Sequence, residues 1–118
     1  MAQFTHLHVH SQYSLLDGQA AINKLVDKAI SLGMKGMALT DHGNMFGIKE
    51  FFNYVNKKNK GKPDAEKFKP ILGCEMYVAK GDKSARGDKS DNGLHLIVLA
   101  KNKKGYHNLV KLVSRAWT

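Results

Sequence analysis

Met37-Ala38-Leu39-Thr40-Asp41-His42-Gly43-Asn44 (MALTDHGN) passes from a short buried strand into a polar turn. Met37 to Thr40 is apolar and short enough for an interior strand. Asp41 to Asn44 is a turn, and Asn44 is a candidate helix cap. Met45, Ile48, Phe52 and Val55 follow at helical spacing. Upstream, Ile22, Leu25, Val26, Ala29 and Ile30 form another helical stripe, closed by Gly33, where a left-handed residue is wanted. Asp17-Gly18 reads as a turn that caps this helix. At the N-terminus, Phe4 to His10 (FTHLHVH) alternates as a strand does. That places Phe4, His6, His8 and His10 on one face and Thr5, Leu7 and Val9 on the other.

Downstream, residues 57–69 (KKNKGKPDAEKFK) read as a charged connection, and Pro70 to Ala79 (PILGCEMYVA) as a third strand. Residues 80–93 read as a mobile loop in which Gly-Asp-Lys-Ser occurs twice. Its Arg86-Gly87-Asp88 matches a cell-adhesion tripeptide, but a chance match is expected in such a composition. Leu94 to Ala100 (LHLIVLA) is nearly all apolar, which predicts a strand covered on both faces. Asn102 is placed to cap a last helix with Leu109, Leu112, Val113 and Ala116 on one side. The predicted order is β-α-β-α-β-loop-β-α. This is an α/β pattern that implies a parallel sheet or part of a β/α barrel. An eight-strand barrel takes about 250 residues. The chain also stops at Thr118 inside a helical pattern. The expectation is therefore that residues 1–118 are the N-terminal part of one domain of a longer protein.

The composition supports a folded chain: 42% of residues are hydrophobic and 25% charged, and no apolar run approaches the ~18 residues of a membrane span. The N-terminus has no signal-peptide pattern, and Cys74 is the one cysteine, so a cytoplasmic setting is expected. Of the 19 basic residues, 17 are Lys, and the net charge of +9 comes mainly from residues 57–104. From charge alone a solvated lysine surface is the favoured explanation, and attraction to a polyanion such as nucleic acid is the sharper alternative. The scarcity of Arg argues against base-specific contacts.

His8 and His10 form His-x-His on a strand, with rings on one side about 7 Å apart along the chain. Such a pair suits one metal ion or two neighbouring ions, and it also suits two hydrogen-bonded surface histidines. Asp17 follows the first strand, His42 follows the second, and Glu75 lies within the third. Ligands gather in this way at the carboxyl ends of parallel strands. Asp41 sits beside His42 as an orienting carboxylate or a helix cap. Alternation places Ile71, Gly73, Glu75 and Tyr77 on one face and Leu72, Cys74, Met76 and Val78 on the other, so Cys74 belongs to the core. A lone Glu in an apolar strand is costly unless paired or metal-bound. His95 is the analogous polar residue in the next strand, while His6 and His107 read as structural or surface residues. The mixed nitrogen and oxygen set suits Zn, Mn, Fe or Mg. Metals so held lower the pKa of water and clamp phosphate oxygens, which points to phosphoester hydrolysis.

His8-Val9-His10-Ser11, Ser14-Leu15-Leu16-Asp17-Gly18, Thr40-Asp41-His42-Gly43-Asn44 and Pro70-Ile71-Leu72-Gly73-Cys74-Glu75 occur in that order. They resemble the opening motifs of the PHP (polymerase and histidinol phosphatase) superfamily. His95-Leu96 with Leu99-Ala100-Lys101, Gly105-Tyr106-His107-Asn108-Leu109 and Ser114-Arg115-Ala116 narrow the match. They resemble the N-terminal PHP domain of the alpha-subunit family of bacterial DNA polymerase III. The resemblance covers nearly the whole chain apart from residues 57–69 and 80–93.

The resemblance implies a distorted β/α barrel, incomplete in this chain, with metal ligands at His8, His10, Asp17, His42, Glu75 and His95. It implies divalent metal ions, up to three in the intact domain, with Asp41 orienting the ligands. It further implies DNA synthesis by the parent protein and 3′-5′ exonuclease chemistry in this domain. The implied partners are DNA, a sliding clamp and a separate proofreading exonuclease. On this reading the chain alone is inactive, and exposed apolar strand surface makes it self-associate. One alternative is a non-catalytic platform that docks the separate exonuclease. Another is a free-standing phosphatase, which the Gly105–Ala116 segment disfavours.

Overall fold

A computed structural model of the chain describes residues 4–14, 18, 20–78 and 94–116. The element order is α1 (Ile22–Ser31), β1 (Gly36–Leu39), α2 (Ile48–Asn59), a 3₁₀ turn (Asp64–Glu66), β2 (Lys69–Val78), β3 (Leu94–Leu99) and α3 (Lys103–Ala116). The strands form a three-stranded sheet in the order β1-β2-β3. Asp17 and the 80–93 connection lie outside the described residues.

In α1 the apolar stripe buries Ile22, Val26 and Ala29, with Leu25 and Ile30 packed beside them. The helix ends as the sequence predicts. Gly33 takes φ 78°, its N–H bonds the Ile30 carbonyl at 3.0 Å, and the Met34 N–H bonds the Ala29 carbonyl at 3.0 Å. Only a residue without a Cβ adopts this backbone cheaply. The start differs from expectation, because the N-cap is Ala21 rather than Asp17-Gly18. Gly18 serves another purpose: a Cβ there would lie 2.2 Å from the Ser11 carbonyl oxygen.

β1 and β2 run parallel, joined through α2. The α2 core face is Ile48, Phe51 and Val55, packed with Met37, Leu39 and Phe68. Phe52, predicted on this face, is 43% exposed. Both Phe51 and Phe52 satisfy helical spacing from Ile48, and the helix phase selects Phe51. Asn44 precedes the helix and accepts the Phe46 N–H at 3.1 Å, while Gly47 is the N-cap. Lys57 to Asn59 continue the helix, so the charged connection begins later than expected. Buried Asn59 ends it by pairing with both backbone groups of Phe68, each at 2.7 Å.

β3 runs antiparallel to β2, which corrects the expectation of an all-parallel sheet. A parallel partner requires a crossover, usually a helix, whereas consecutive strands turn back readily as a hairpin. β3 is also not covered on both faces: Leu94 and Leu96 are 62% and 50% exposed. Asn102 caps α3 as expected, accepting the Gly105 N–H at 2.8 Å. Leu109 and Val113 pack on Cys74, with Met76 and Val98 beside them, while Leu112 and Ala116 face out.

Residues 4–10 form no regular strand, although they run alongside β1 in the same direction. The Ala38 N–H bonds the His6 carbonyl at 2.8 Å, and the Thr40 N–H bonds the Val9 carbonyl at 2.9 Å. The step from His6 to Val9 is one residue longer than the step from Ala38 to Thr40. This slip breaks the ladder, and the Val9 N–H turns instead to Thr40 Oγ1 at 2.9 Å. The described residues thus make a mixed α/β unit in which no barrel closes.

Candidate metal centre

The β1–β2 register builds the centre. Leu39 pairs with Leu72, and the same offset continues past the end of β1 to an isolated parallel bridge between His42 and Glu75. The Glu75 N–H donates to the Asp41 carbonyl at 3.0 Å, and the Gly43 N–H donates to the Glu75 carbonyl at 2.8 Å. On the other side of β2, His95 pairs with Tyr77 and so lies diagonal to Glu75. The predicted alternation holds. Glu75 points to the histidines, whereas Cys74 is buried under α3. Burial first, and then the charge of Asp41, pushes the Cys74 thiol up to about 11.

Glu75 is 1% exposed and stands at the hub of four histidines. Its Oε2 receives His8 Nε2 in a short contact and His10 Nε2 at 2.8 Å. Its Oε1 faces His95 Nδ1 at 3.1 Å and His42 Nδ1 at 3.5 Å. Burial pushes the Glu75 carboxyl up. The bonds from His10 and His8 outweigh that effect and hold it below the ordinary value. The His8 and His95 side chains remain more than half exposed, so the hub is sealed below and open above.

Donor atoms of His8, His10 and Glu75 lie within 4.8 Å of one another, as do those of His42, Glu75 and His95. The two triads meet at the Glu75 carboxylate, one oxygen to each. A carboxylate so placed can bridge two cations, and imidazole with carboxylate suits Zn, Mn or Fe. The donor set therefore fits divalent metal ions.

Asp41 is also buried, but its carboxylate turns to two serines. It accepts the Ser11 N–H at 2.6 Å, and the Ser11 hydroxyl reaches Oδ1 at 3.0 Å and Oδ2 at 2.8 Å. The Ser14 hydroxyl donates to Oδ1 at 2.8 Å and accepts the His42 N–H at 2.9 Å. Asp41 thus ties the turn after His10 to the backbone of His42.

Five residues singled out in the sequence, His8, His10, His42, Glu75 and His95, come together, and Asp17 lies outside the described residues. His6 meets the ring of Phe4 edge-on at 4.6 Å, and His107 lies beside Tyr106. Ser11, Ser14 and Tyr77 were not singled out for roles in the centre. The alternation that flagged Glu75 also placed Tyr77 on its face. The serines are ordinary turn residues that become notable only beside a buried carboxylate.

The sheet, the hub of histidines around one carboxylate and the order of the motifs describe an α/β domain with a candidate metal centre. The chain belongs to the PHP domain family, whose model matches residues 6–118. It is similar to the DNA polymerase III subunit alpha of Treponema pallidum (strain Nichols), 49% identical over 119 residues, covering 97% of this chain and 9% of that protein. The protein of the same name from Borreliella burgdorferi is 46% identical over 115 residues, with 96% and 9% covered. That from Aquifex aeolicus (strain VF5) is 41% identical over 121 residues, with 97% and 10% covered. The chain thus spans about a tenth of the length of these curated relatives. Among the described residues, no helix is long and apolar enough to cross a membrane.

Proposed function

We propose that the Glu75 cluster holds divalent metal ions (Zn, Mn, Fe or Mg) and that the domain hydrolyses phosphodiesters as a 3′-5′ proofreading nuclease. The polypeptide it serves is of the DNA polymerase III alpha type, which synthesises DNA in the cytoplasm together with a sliding clamp and other replisome subunits. The observation that carries this reading is the buried carboxylate shared by two histidine pairs. His8, His10, His42, Glu75 and His95 would hold the ions, and the motif match adds Asp17. Ions bound there lower the pKa of water and neutralise phosphate charge. Asp41, through Ser11 and Ser14, holds the His10 turn and His42 at a fixed separation. Residues 1–118 are then the first part of one domain, whose barrel closes with chain beyond Thr118. Alone, they would be inactive.

A second reading, a platform that docks a separate exonuclease, draws on the exposed apolar residues Val78, Leu94 and Leu96 along the β2–β3 hairpin. The full-length polypeptide separates the two. Exonuclease activity on single-stranded DNA is measured for the wild type and for the His10→Ala and Glu75→Gln variants, with DNA synthesis as the folding control. Loss of about a hundredfold or more with synthesis intact supports the nuclease. A metal-free wild-type protein without exonuclease activity supports the platform.

A further inference from the structure

We propose that Tyr77 is a substrate-contact residue of this centre. Its hydroxyl donates a hydrogen bond to a non-bridging oxygen of the phosphoester held over the Glu75 cluster. The inference rests on the phosphoesterase reading above and adds a donor that the metal-ligand motifs do not contain.

Tyr77 follows Glu75 by two residues in β2, so both side chains leave the same face of the strand. Its ring stands against the imidazoles of His42 and His95, with centroids 4.8 Å from each. These rings belong to the same triad as Glu75 Oε1. The Tyr77 hydroxyl lies 3.4 Å from His42 Nδ1, a long contact near the limit for a hydrogen bond. Yet the residue is 44% exposed, on the open side of the hub. The long contact to His42 leaves the hydroxyl able to take a stronger acceptor, which phenylalanine at this position would not offer. A partly exposed phenol whose ring stands against two imidazoles of the cluster is suited to donating to an arriving oxyanion. A donor set in place before reaction stabilises the charge that builds on phosphoryl oxygens, without moving as the reaction proceeds. The ligand class is therefore a phosphate ester that presents a free non-bridging oxygen, such as the terminal phosphodiester of a nucleic-acid strand.

The test compares the full-length wild-type polypeptide with Tyr77→Phe. Three quantities are measured: metal content, inorganic phosphate affinity of the metal-loaded protein by calorimetry, and hydrolysis of a 3′-terminal phosphodiester. Tyr77→Phe should keep the wild-type metal content, bind phosphate about tenfold more weakly and lose about a hundredfold or more in turnover. Unchanged phosphate affinity and turnover in a metal-replete variant overturn the proposal for Tyr77 and leave the metal centre standing. Loss of metal along with activity also overturns it, because Tyr77 would then act only by holding His42. A wild-type protein that binds no metal overturns the reading of the centre, and the role of Tyr77 falls with it.

Discussion

His42 and Glu75 face each other across a parallel bridge that extends the β1–β2 register beyond Leu39 and Leu72. The bridge makes the spacing of these two side chains a property of the sheet. Whatever shifts β2 against its neighbours also shifts Glu75 against the histidines. Gly73 pairs with Leu99 of β3, and an added Cβ there would sit 2.5 Å from the Val98 carbonyl oxygen and 2.8 Å from Leu99 Cδ2. Gly73→Ala is expected to destabilise the fold by about 1–3 kcal/mol. It should also displace His95. Urea denaturation measures the first effect. The His95 imidazole NMR shift reports the second, and an unmoved resonance would count against strand register as the device.

Asp41 gives a rank order. Asp41→Ala removes the acceptor of three donors, Ser11 N–H, Ser11 Oγ–H and Ser14 Oγ–H, and leaves them buried. The expected cost is about 3 kcal/mol or more, since hydrogen bonds to charged groups are worth about 1.5–3 kcal/mol each and do not add fully. Ser14→Ala removes one donor and the acceptor for the His42 N–H, and should cost about 1–2 kcal/mol. Equal midpoints in urea for both variants would contradict the clamp.

Much of the centre was legible because it depends on parity and order. Alternation set Glu75 apart from Cys74, and the order of turns and strands grouped it with His-x-His and the turn after MALT, although residues 4–10 form no regular strand. Strand direction was not legible. The sequence of β3 fits either orientation, and the hairpin made it antiparallel. Nor was the slip between His6 and Val9, where an extra residue stands between successive bonds to β1 and the Val9 N–H meets the Thr40 side chain. The choice of Phe51 over Phe52 depended on a helix phase that both satisfy.

On the outer surface, Tyr54 Oη donates to Asp27 Oδ1 at 2.7 Å, and Lys58 Nζ lies 3.3 Å from the same oxygen. The Tyr54 bond, opposed by desolvation and aided by Lys58, holds Asp27 below its ordinary 3.8. Asp27 in turn raises Tyr54 above 10.0 and Lys58 above 10.5. A depressed carboxylate stabilises the fold above its unfolded pKa and loses that contribution as pH falls through its folded value. The raised phenol and ammonium stabilise below their unfolded values and lose it as pH rises through their folded ones. The link between α1 and α2 therefore operates between about 4 and 10. Tyr54→Phe should raise the Asp27 carboxyl pKa in an NMR titration, with little change in stability, because these groups are exposed. No change in that pKa would show that Tyr54 does not set it.

The β2–β3 hairpin presents Val78, Leu94 and Leu96 to solvent, and such surface promotes association. Residues 1–118 expressed alone should sediment with a concentration-dependent mass, and Leu96→Lys should reduce the association. A monomer at all concentrations would show that this face does not drive self-assembly.

In the proposed metal centre Glu75 is the ligand that both triads share. Metal content of the purified full-length polypeptide, wild type against Glu75→Gln, tests it most directly, with circular dichroism to confirm equal folding. The wild type should carry about two ions in the Glu75 cluster, one per triad, and the variant fewer than about one. A folded wild type without metal, or a variant that keeps the full complement, would contradict the account.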